Sequence, residues 1–128
     1  MRQAEALAIL QSGASVFLTG APGAGKTYVL NEFVRQAAVS VTASTGIAAT
    51  HINGQTIHSW SGVGLANALT DNLIKTIRTR RKRKLQGADI LIIDEVSMLH
   101  AWLFDMVDQV CRIIRRDQRP FGGLQVVL

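Results

Sequence analysis

Short apolar runs alternate along the chain with longer stretches that have the spacing of helices. The runs lie at residues 16–18, 39–42, 90–93 and 124–128, and each is rich in apolar or β-branched residues, as in strands buried on both faces of a parallel sheet. A helix-competent stretch at residues 26–38 separates the first two runs. Strands that alternate with helices predict an α/β domain.

Two further stretches place an apolar side chain at every third or fourth position, which is the spacing of one helix face. Cys111 falls within the second of these stretches, which begins at Leu99, so we predict that its thiol is buried and inert. Asn53 and Gly54 together form a tight-turn signal inside a loop region. The first pattern consists of Leu65, Leu69, Leu73 and Ile77, and the second of Leu99, Leu103, Met106, Val110 and Ile113.

The composition is that of one globular domain. The chain has 128 residues, of which 48% are hydrophobic and 18% are charged, which is enough apolar material for a sizeable core. It contains no run of about 20 apolar residues that could span a membrane, and its first residues lack the pattern of a secretory signal. Its single cysteine excludes an internal disulfide. We therefore expect a cytosolic or nuclear protein with no membrane partner.

The net charge of +5 is concentrated in one segment. Residues 75–84 contain seven basic residues and no acidic one, so the remainder of the chain carries a small excess of acid. A patch of this density could follow the phosphates of a nucleic acid, with binding that weakens steeply as salt rises. A solvated loop or helix end would explain the same run equally well. The basic residues are Lys75, Arg78, Arg80, Arg81, Lys82, Arg83 and Lys84.

A phosphate-binding loop is predicted between the first strand and the helical stretch that follows it. Gly20, Gly25, Lys26 and Thr27 satisfy the pattern G-x-x-x-x-G-K-[ST]. The glycines let backbone N–H groups converge on phosphate, Lys26 reaches the terminal phosphates, and the Thr27 hydroxyl can bind Mg²⁺. ATP and Mg²⁺ are therefore the expected cofactors. The residues expected to bind the nucleotide here are Gly20, Ala21, Pro22, Gly23, Ala24, Gly25, Lys26, Thr27 and Tyr28.

An acidic pair follows the third apolar run. Asp94 and Glu95 are expected at the carboxyl edge of a buried strand, which is where open α/β sheets bind ligands. There Asp94 would hold Mg²⁺ through water, and Glu95 would orient and deprotonate an attacking water molecule. Such a pair is weak evidence alone, but it follows a phosphate loop. Lys26, Asp94 and Glu95 are thus the candidate catalytic residues.

Four ordered segments resemble one helicase family. VTASTGIAA at residues 41–49, QTIHSWSG at 55–62, DEVSML at 94–99 and PFGGLQVVL at 120–128 are similar to the Pif-type, RecD-related branch of superfamily-one DNA helicases. The resemblance implies a three-layer RecA-like fold, a parallel sheet with helices on both faces. It also implies ATP-driven 5′-to-3′ translocation on single-stranded DNA and unwinding of duplexes. A monomer is expected, nucleoid-associated in a bacterium and nuclear or mitochondrial in a eukaryote.

The resemblance also implies roles for single residues. Gln3 stands where the family has a glutamine that reads adenine, and Thr45, Gly46, His58 and Ser59 stand where it faces single-stranded DNA. Thr45 could instead cap a short helix, and His58 could be structural. We expect both Trp60 and Trp102 in the core, with base stacking as the alternative for each.

The family pattern extends beyond what this sequence contains. Relatives of this type continue with Gly-Asp and Gln-Leu-Pro-Pro segments and a second RecA-like domain, so residues 1–128 are expected to form part of the first motor domain, truncated after its fourth strand. Such a fragment should bind nucleotide better than it hydrolyses it. In RecA-like sheets the last strand here, residues 125–128, lies between residues 16–18 and 90–93. A small-molecule kinase and a non-catalytic nucleotide-binding or nucleic-acid-binding module are the alternative functions.

Overall fold

The computed structural model describes residues 3–17, 39–51 and 53–128. Within them, the strands alternate with helices as the apolar pattern predicts. The strands are β1 Val39–Ala43, β2 Gln55–Thr56, β3 Ile90–Asp94 and β4 Gln125–Val127. The α-helices are α1 Gln3–Gln11, α2 Gly46–His51, α3 Ile57–Ser61, α4 Asp71–Gly87 and α5 Ala101–Arg115, with 3₁₀ turns at Val96–Met98 and Pro120–Gly123.

The sheet is parallel, with the strand order β2-β1-β3-β4. On its far side β4 meets Val16, which forms a parallel bridge with Val127. The Val16 amide donates to the Val126 carbonyl at 2.9 Å, and the Leu128 amide donates to the Val16 carbonyl at 2.9 Å. The prediction that the last strand lies between β3 and the first apolar run is therefore confirmed at Val16.

Strand β3 divides the core into two layers. Leu91 and Ile93 belong to a cluster with the apolar faces of α4 and α5. Ile90 and Ile92 face the other side, where they pack with Leu10 of α1. These four residues are buried, because the alternating side chains of a strand in a central position are covered on both faces. Helices on both faces of a parallel sheet confirm the expected three-layer α/β class.

Helix α4 begins later than its leucine pattern predicts. Thr70 adopts an extended conformation and its hydroxyl accepts a hydrogen bond from the Leu73 amide at 3.2 Å, which caps the helix at Asp71. Leu65 lies in the preceding loop and is fully exposed, while Leu69 packs against the core from outside the helix. The prediction of one helix face from Leu65 onward was therefore wrong for these two residues. Leu99 likewise precedes α5.

The two tryptophans have different environments. Trp60 is completely buried, as predicted, although its indole N–H has no hydrogen-bond partner among the residues that the structure describes. The prediction for Trp102 was wrong, because 49% of its surface is exposed. Its ring stacks on the ring of His100, with 5.8 Å between centroids and 14° between planes. Cys111 is fully buried in α5, which confirms the predicted structural thiol.

Arg115 fixes the end of α5 against the end of α4. One guanidinium nitrogen donates to the carbonyl oxygens of Leu85 and Ala88 at 2.9 and 2.7 Å. The Nε atom donates to the carbonyl oxygen of Gly122 at 2.9 Å, in the turn that leads into β4. Because α4 leads to β3 and this turn leads to β4, one side chain positions both central strands.

Candidate nucleotide and nucleic-acid site

The predicted site residues that stand at or just after the ends of β1, β2 and β3 lie at the carboxyl edge of the sheet. Since the strands are parallel, the segments that follow them emerge on the same side. The register pairs Ala43 with Asp94 and also pairs Ala43 with Thr56. The acidic pair, the Thr45 segment and the His58 segment therefore leave the sheet from neighbouring positions.

The acidic pair lies where β3 ends. Asp94 is half-buried and its carbonyl oxygen accepts a hydrogen bond from the Ser44 amide at 3.1 Å. Glu95 is exposed and has a left-handed backbone conformation, with φ 56° and ψ 44°. This conformation turns the chain sharply into the 3₁₀ turn Val96–Met98. It costs a non-glycine residue about 1–2 kcal/mol, so the surrounding contacts must stabilise it.

Two hydrogen bonds hold the Glu95 carbonyl. The Met98 amide donates to it at 3.1 Å, and the Ser44 hydroxyl donates to it at 2.6 Å. Two residues before Ser44, the buried Thr42 hydroxyl donates to the Ile92 carbonyl at 2.6 Å. Sequence reasoning did not single out Thr42 or Ser44. The signal for Thr42 was a hydroxyl inside a strand-forming run, and that for Ser44 a hydroxyl just after it, because a buried hydroxyl needs a partner.

Thr45 immediately precedes helix α2. Its hydroxyl oxygen accepts from the Ala48 amide at 3.2 Å, and its carbonyl oxygen accepts from the Ala49 amide at 3.0 Å. The capping role considered for Thr45 is therefore present. Gly46 follows on the surface, and a Cβ atom added there would meet no atom of the described residues within 4 Å. Internal packing among the described residues thus gives no reason for glycine at this position.

His58 and Ser59 lie on α3, which Thr56 caps by accepting from the Ser59 amide at 3.2 Å. His58 is half-buried, and its carbonyl oxygen accepts from the Gly64 amide at 3.1 Å. Ser59 is exposed, and its carbonyl oxygen accepts from Nε of Arg81 at 3.1 Å. Arg81 comes from the basic run, so this contact joins α4 to the His58 segment. The sequence showed the run but not which of its members makes a structural contact.

Part of the predicted nucleotide site lies outside the described residues. Gln3 begins α1, whose end is held by Gln125: the Gln125 side-chain amide donates to the Leu10 and Ala14 carbonyls at 2.8 and 2.7 Å. Val16 forms a parallel bridge with β4, so the chain runs there toward the carboxyl edge. The phosphate loop stays a prediction, and its residues outside the description are Gly20, Ala21, Pro22, Gly23, Ala24, Gly25, Lys26, Thr27 and Tyr28.

One carboxylate at the sheet edge is of the type that binds Mg²⁺. Within residues 3–17, 39–51 and 53–128 no three His, Cys, Asp or Glu side chains come together as a metal cage. Mg²⁺ is commonly bound by one or two carboxylates together with substrate phosphates and water. The Asp94 carboxylate at the sheet edge fits that requirement.

None of the described helices is both long and apolar enough to cross a membrane.

Comparisons with known proteins agree on one family. The family model for PIF1-like helicases matches residues 2–128. The chain is 51% identical to the ATP-dependent DNA helicase Pif1 of Psychrobacter sp. (strain PRwf-1), covering 100% of this chain and 20% of that protein.

Solved structures give the same result. The crystal structure of Pif1 helicase from Candida albicans superposes with a TM-score of 0.89 at 38% identity, covering 98% of this chain and 30% of that one. Pif1 helicase from Bacteroides in complex with ADP-AlF3 and ssDNA superposes with a TM-score of 0.77 at 30% identity, with coverage of 98% and 30%. The chain thus spans about a fifth of the length of the curated relative from Psychrobacter. Over that span, its sequence and its fold show that it belongs to the PIF1-like helicase family.

Proposed function

We propose that residues 1–128 form the ATP-binding part of the first motor domain of an ATP-dependent DNA helicase. The intact protein would couple ATP hydrolysis to 5′-to-3′ movement along single-stranded DNA and to unwinding of duplexes. The observation that carries this proposal is the hydrogen bond between Ser44 and Glu95, because it joins the acidic pair to the segment of Thr45 and Gly46. A change at one segment can thereby reach the other.

The nucleotide chemistry is assigned to the predicted loop and to the acidic pair. Lys26 would contact the terminal phosphates, and Thr27 and Asp94 would hold Mg²⁺, which neutralises phosphate charge when bound. The exposed Glu95 side chain would orient the attacking water and accept its proton. Gln3 would contact the adenine. The Bacteroides relative was solved with ADP-AlF3 and ssDNA, which supports a nucleotide site and a DNA site in the same protein.

DNA contact is assigned to Thr45, Gly46, His58 and Ser59. The Thr45 hydroxyl can do more than cap the helix: its oxygen accepts from the Ala48 amide, and a hydroxyl can also donate its hydrogen, here to a phosphate oxygen. Gly46 is exposed, and no described residue would meet a Cβ atom there within 4 Å, which allows a DNA backbone to approach closely. Ser59 is exposed beside the half-buried His58. Phosphate contact at these residues would position the strand without reading its sequence.

The wider setting of the protein follows from the same proposal. The working unit would be a monomer in which a second RecA-like domain completes the ATP site. It would be found where DNA is, associated with the nucleoid in a bacterium or in the nucleus or mitochondria of a eukaryote. The second RecA-like domain is required because hydrolysis by P-loop enzymes depends on a cationic group supplied across the ATP site.

The test is ATP hydrolysis by the intact protein with and without single-stranded DNA. DNA should stimulate hydrolysis, and Lys26→Ala should abolish it. Glu95→Gln should retain nucleotide binding and lower turnover by about 10²–10⁴, the usual contribution of a general base. Glu5→Gln, which changes an exposed carboxylate on α1, is the matched control. Hydrolysis that ignores DNA, or nucleotide binding without any turnover, would contradict the proposal and favour a non-catalytic module.

A further inference from the structure

The basic run occupies the solvent face of α4. Six of its seven cationic side chains are exposed, and only Arg81 is half-buried through its contact with Ser59. We call the exposed members the α4 basic face. They are Lys75, Arg78, Arg80, Lys82, Arg83 and Lys84. At about 1.5 Å of rise per residue, they extend along roughly 13 Å of helix.

Among the described residues, the charges of this face have no ion-pair partner. No ion pair of the described residues includes a cation of α4; those found there join Arg112 to Asp108 and Arg119 to Asp117. Like charges four residues apart, as in Arg78 and Lys82, destabilise a helix. The helix dipole can compensate cations only near the last turn, where Lys84 lies.

The pKa of Lys84 is lowered first by burial and second by a neighbouring cation. Partial burial of Lys84 and the nearby Arg81 guanidinium both lower the pKa of its ammonium group below the ordinary value. The helix dipole alone would favour the charged ammonium instead. The face therefore carries more positive charge than the described part of the fold neutralises.

The α4 basic face reaches beyond the candidate site. Its C-terminal members border an open cavity of about 330 Å³ at the edge of the sheet where the strands begin, opposite the edge that carries Asp94. Through Arg81 the helix also touches the His58 segment at the other edge. The cavity is lined by Val39, Ser40, Arg83, Lys84, Gly87 and Ala88.

The composition of α4 favours duplex DNA over a single strand. Proteins that hold single strands without sequence preference combine cations with aromatic rings on which the bases stack. Helix α4, DNLIKTIRTRRKRKLQG, contains no aromatic residue. A duplex hides its bases and presents about one phosphate charge per 1.7 Å of axis, which a row of cations can match.

We propose that the α4 basic face binds the phosphate backbone of duplex DNA, at a site separate from the single-strand contacts of Thr45, Gly46, His58 and Ser59. The site would hold the duplex part of a forked substrate beside the motor. This inference rests on the proposed function only in taking DNA as the polyanion that the cations bind. Its cations act by charge and require no particular base sequence.

The test measures binding of the intact protein to a blunt DNA duplex as salt is varied. The variant Arg78→Gln, Lys82→Gln, Arg83→Gln should bind more weakly, and its slope of log K against log salt should become shallower by about 0.9 for each lost phosphate contact. The matched control exchanges the same positions with charge kept: Arg78→Lys, Lys82→Arg, Arg83→Lys. That control should bind like the unchanged protein. Stimulation of ATP hydrolysis by single-stranded DNA should be the same in all three proteins.

Several outcomes would overturn the inference. One is an unchanged salt slope in the triple glutamine variant; another is equal weakening in the charge-keeping control. Loss of binding to phosphatidylserine vesicles with no loss of duplex binding would assign the face to a membrane surface instead. If the triple variant loses its helical circular dichroism, Lys82→Gln and Arg83→Gln are measured singly, and an unchanged slope in both refutes the site. Absence of DNA-stimulated hydrolysis in the unchanged protein would instead refute the proposed function.

Discussion

The Ser44 hydroxyl donates a 2.6 Å hydrogen bond to the Glu95 carbonyl oxygen and so joins two segments that lie 51 residues apart in sequence. Ser44 precedes the residues assigned to DNA, and Glu95 is the candidate base for hydrolysis. The bond also supports the left-handed backbone of Glu95, which an L-residue adopts only at a cost. Its position makes it a physical link between the two proposed binding sites.

Ser44→Ala should therefore affect coupling as well as stability. Loss of this partly buried hydrogen bond should lower the free energy of unfolding by about 1 kcal/mol, measured by urea denaturation. In the intact protein, nucleotide affinity should be kept while stimulation of hydrolysis by single-stranded DNA falls. Ser12→Ala is the control, because the Ser12 hydroxyl also donates to a carbonyl but in an exposed turn. Unaltered stimulation in Ser44→Ala would show that the bond is structural only.

Thr45→Asp separates helix capping from DNA contact. Aspartate is at least as good an N-cap as threonine, and its charge is favourable at the start of a helix, so thermal stability should be retained. A carboxylate would however repel phosphate, so affinity for single-stranded DNA should fall. Thr70→Asp is the matched control, since Thr70 caps α4 with the same geometry at 3.2 Å. Equal DNA affinity in the two variants would leave Thr45 as a cap alone.

Gly122→Ala should be more destabilising than Gly64→Ala. Both glycines have positive φ, 62° and 55°, so each alanine meets the left-handed penalty of about 1–2 kcal/mol. A Cβ at Gly122 would in addition lie 2.6 Å from the Cys111 carbonyl oxygen, whereas one at Gly64 meets nothing within 4 Å among the described residues. Chemical denaturation measures the difference. Equal midpoints would show that the turn before β4 shifts without cost.

Strands β1, β3 and β4 and their order could be predicted because the apolar runs and the family resemblance agree, whereas the two-residue strand β2 has no apolar run and was not predicted. The apolar run at residues 90–93 predicts a strand covered on both faces, and the resemblance places residues 125–128 beside it. Helix limits were harder, because Leu65 and Leu69 continue the spacing of α4 although Thr70 caps the helix after them. A periodic pattern does not show where a cap interrupts it.

The side-chain network of the site could not be predicted from motifs. The acidic pair was located by its place after an apolar run, yet the hydroxyl of Ser44 and the guanidinium of Arg81 find partners far away in sequence. The exposure of Trp102 also depends on tertiary packing, since it stands one residue before the buried Leu103 on α5. Such contacts depend on which helices and strands become neighbours in the fold. A single sequence does not give this information.

Cys111 provides a last prediction, because it is the single cysteine of the chain and lies fully buried in α5. Burial raises the pKa of its thiol from 9.0 to about 12, against a smaller opposing effect of Arg115. Between these pH values the unfolded chain loses the thiol proton while the folded chain keeps it. The stability that Cys111 contributes is therefore complete below about pH 9 and is lost as pH rises toward about 12.

Two measurements check this behaviour. Denaturation midpoints should fall with pH above 9 in the unchanged chain, and the part of that fall caused by Cys111 should disappear in Cys111→Ala. A thiol reagent should label the folded chain far more slowly than the chain in concentrated urea, since only the thiolate reacts and only after local opening. Labelling of the folded chain at the urea rate would mean that α5 leaves the core readily. The packing inferred for β3 against α5 would then be wrong.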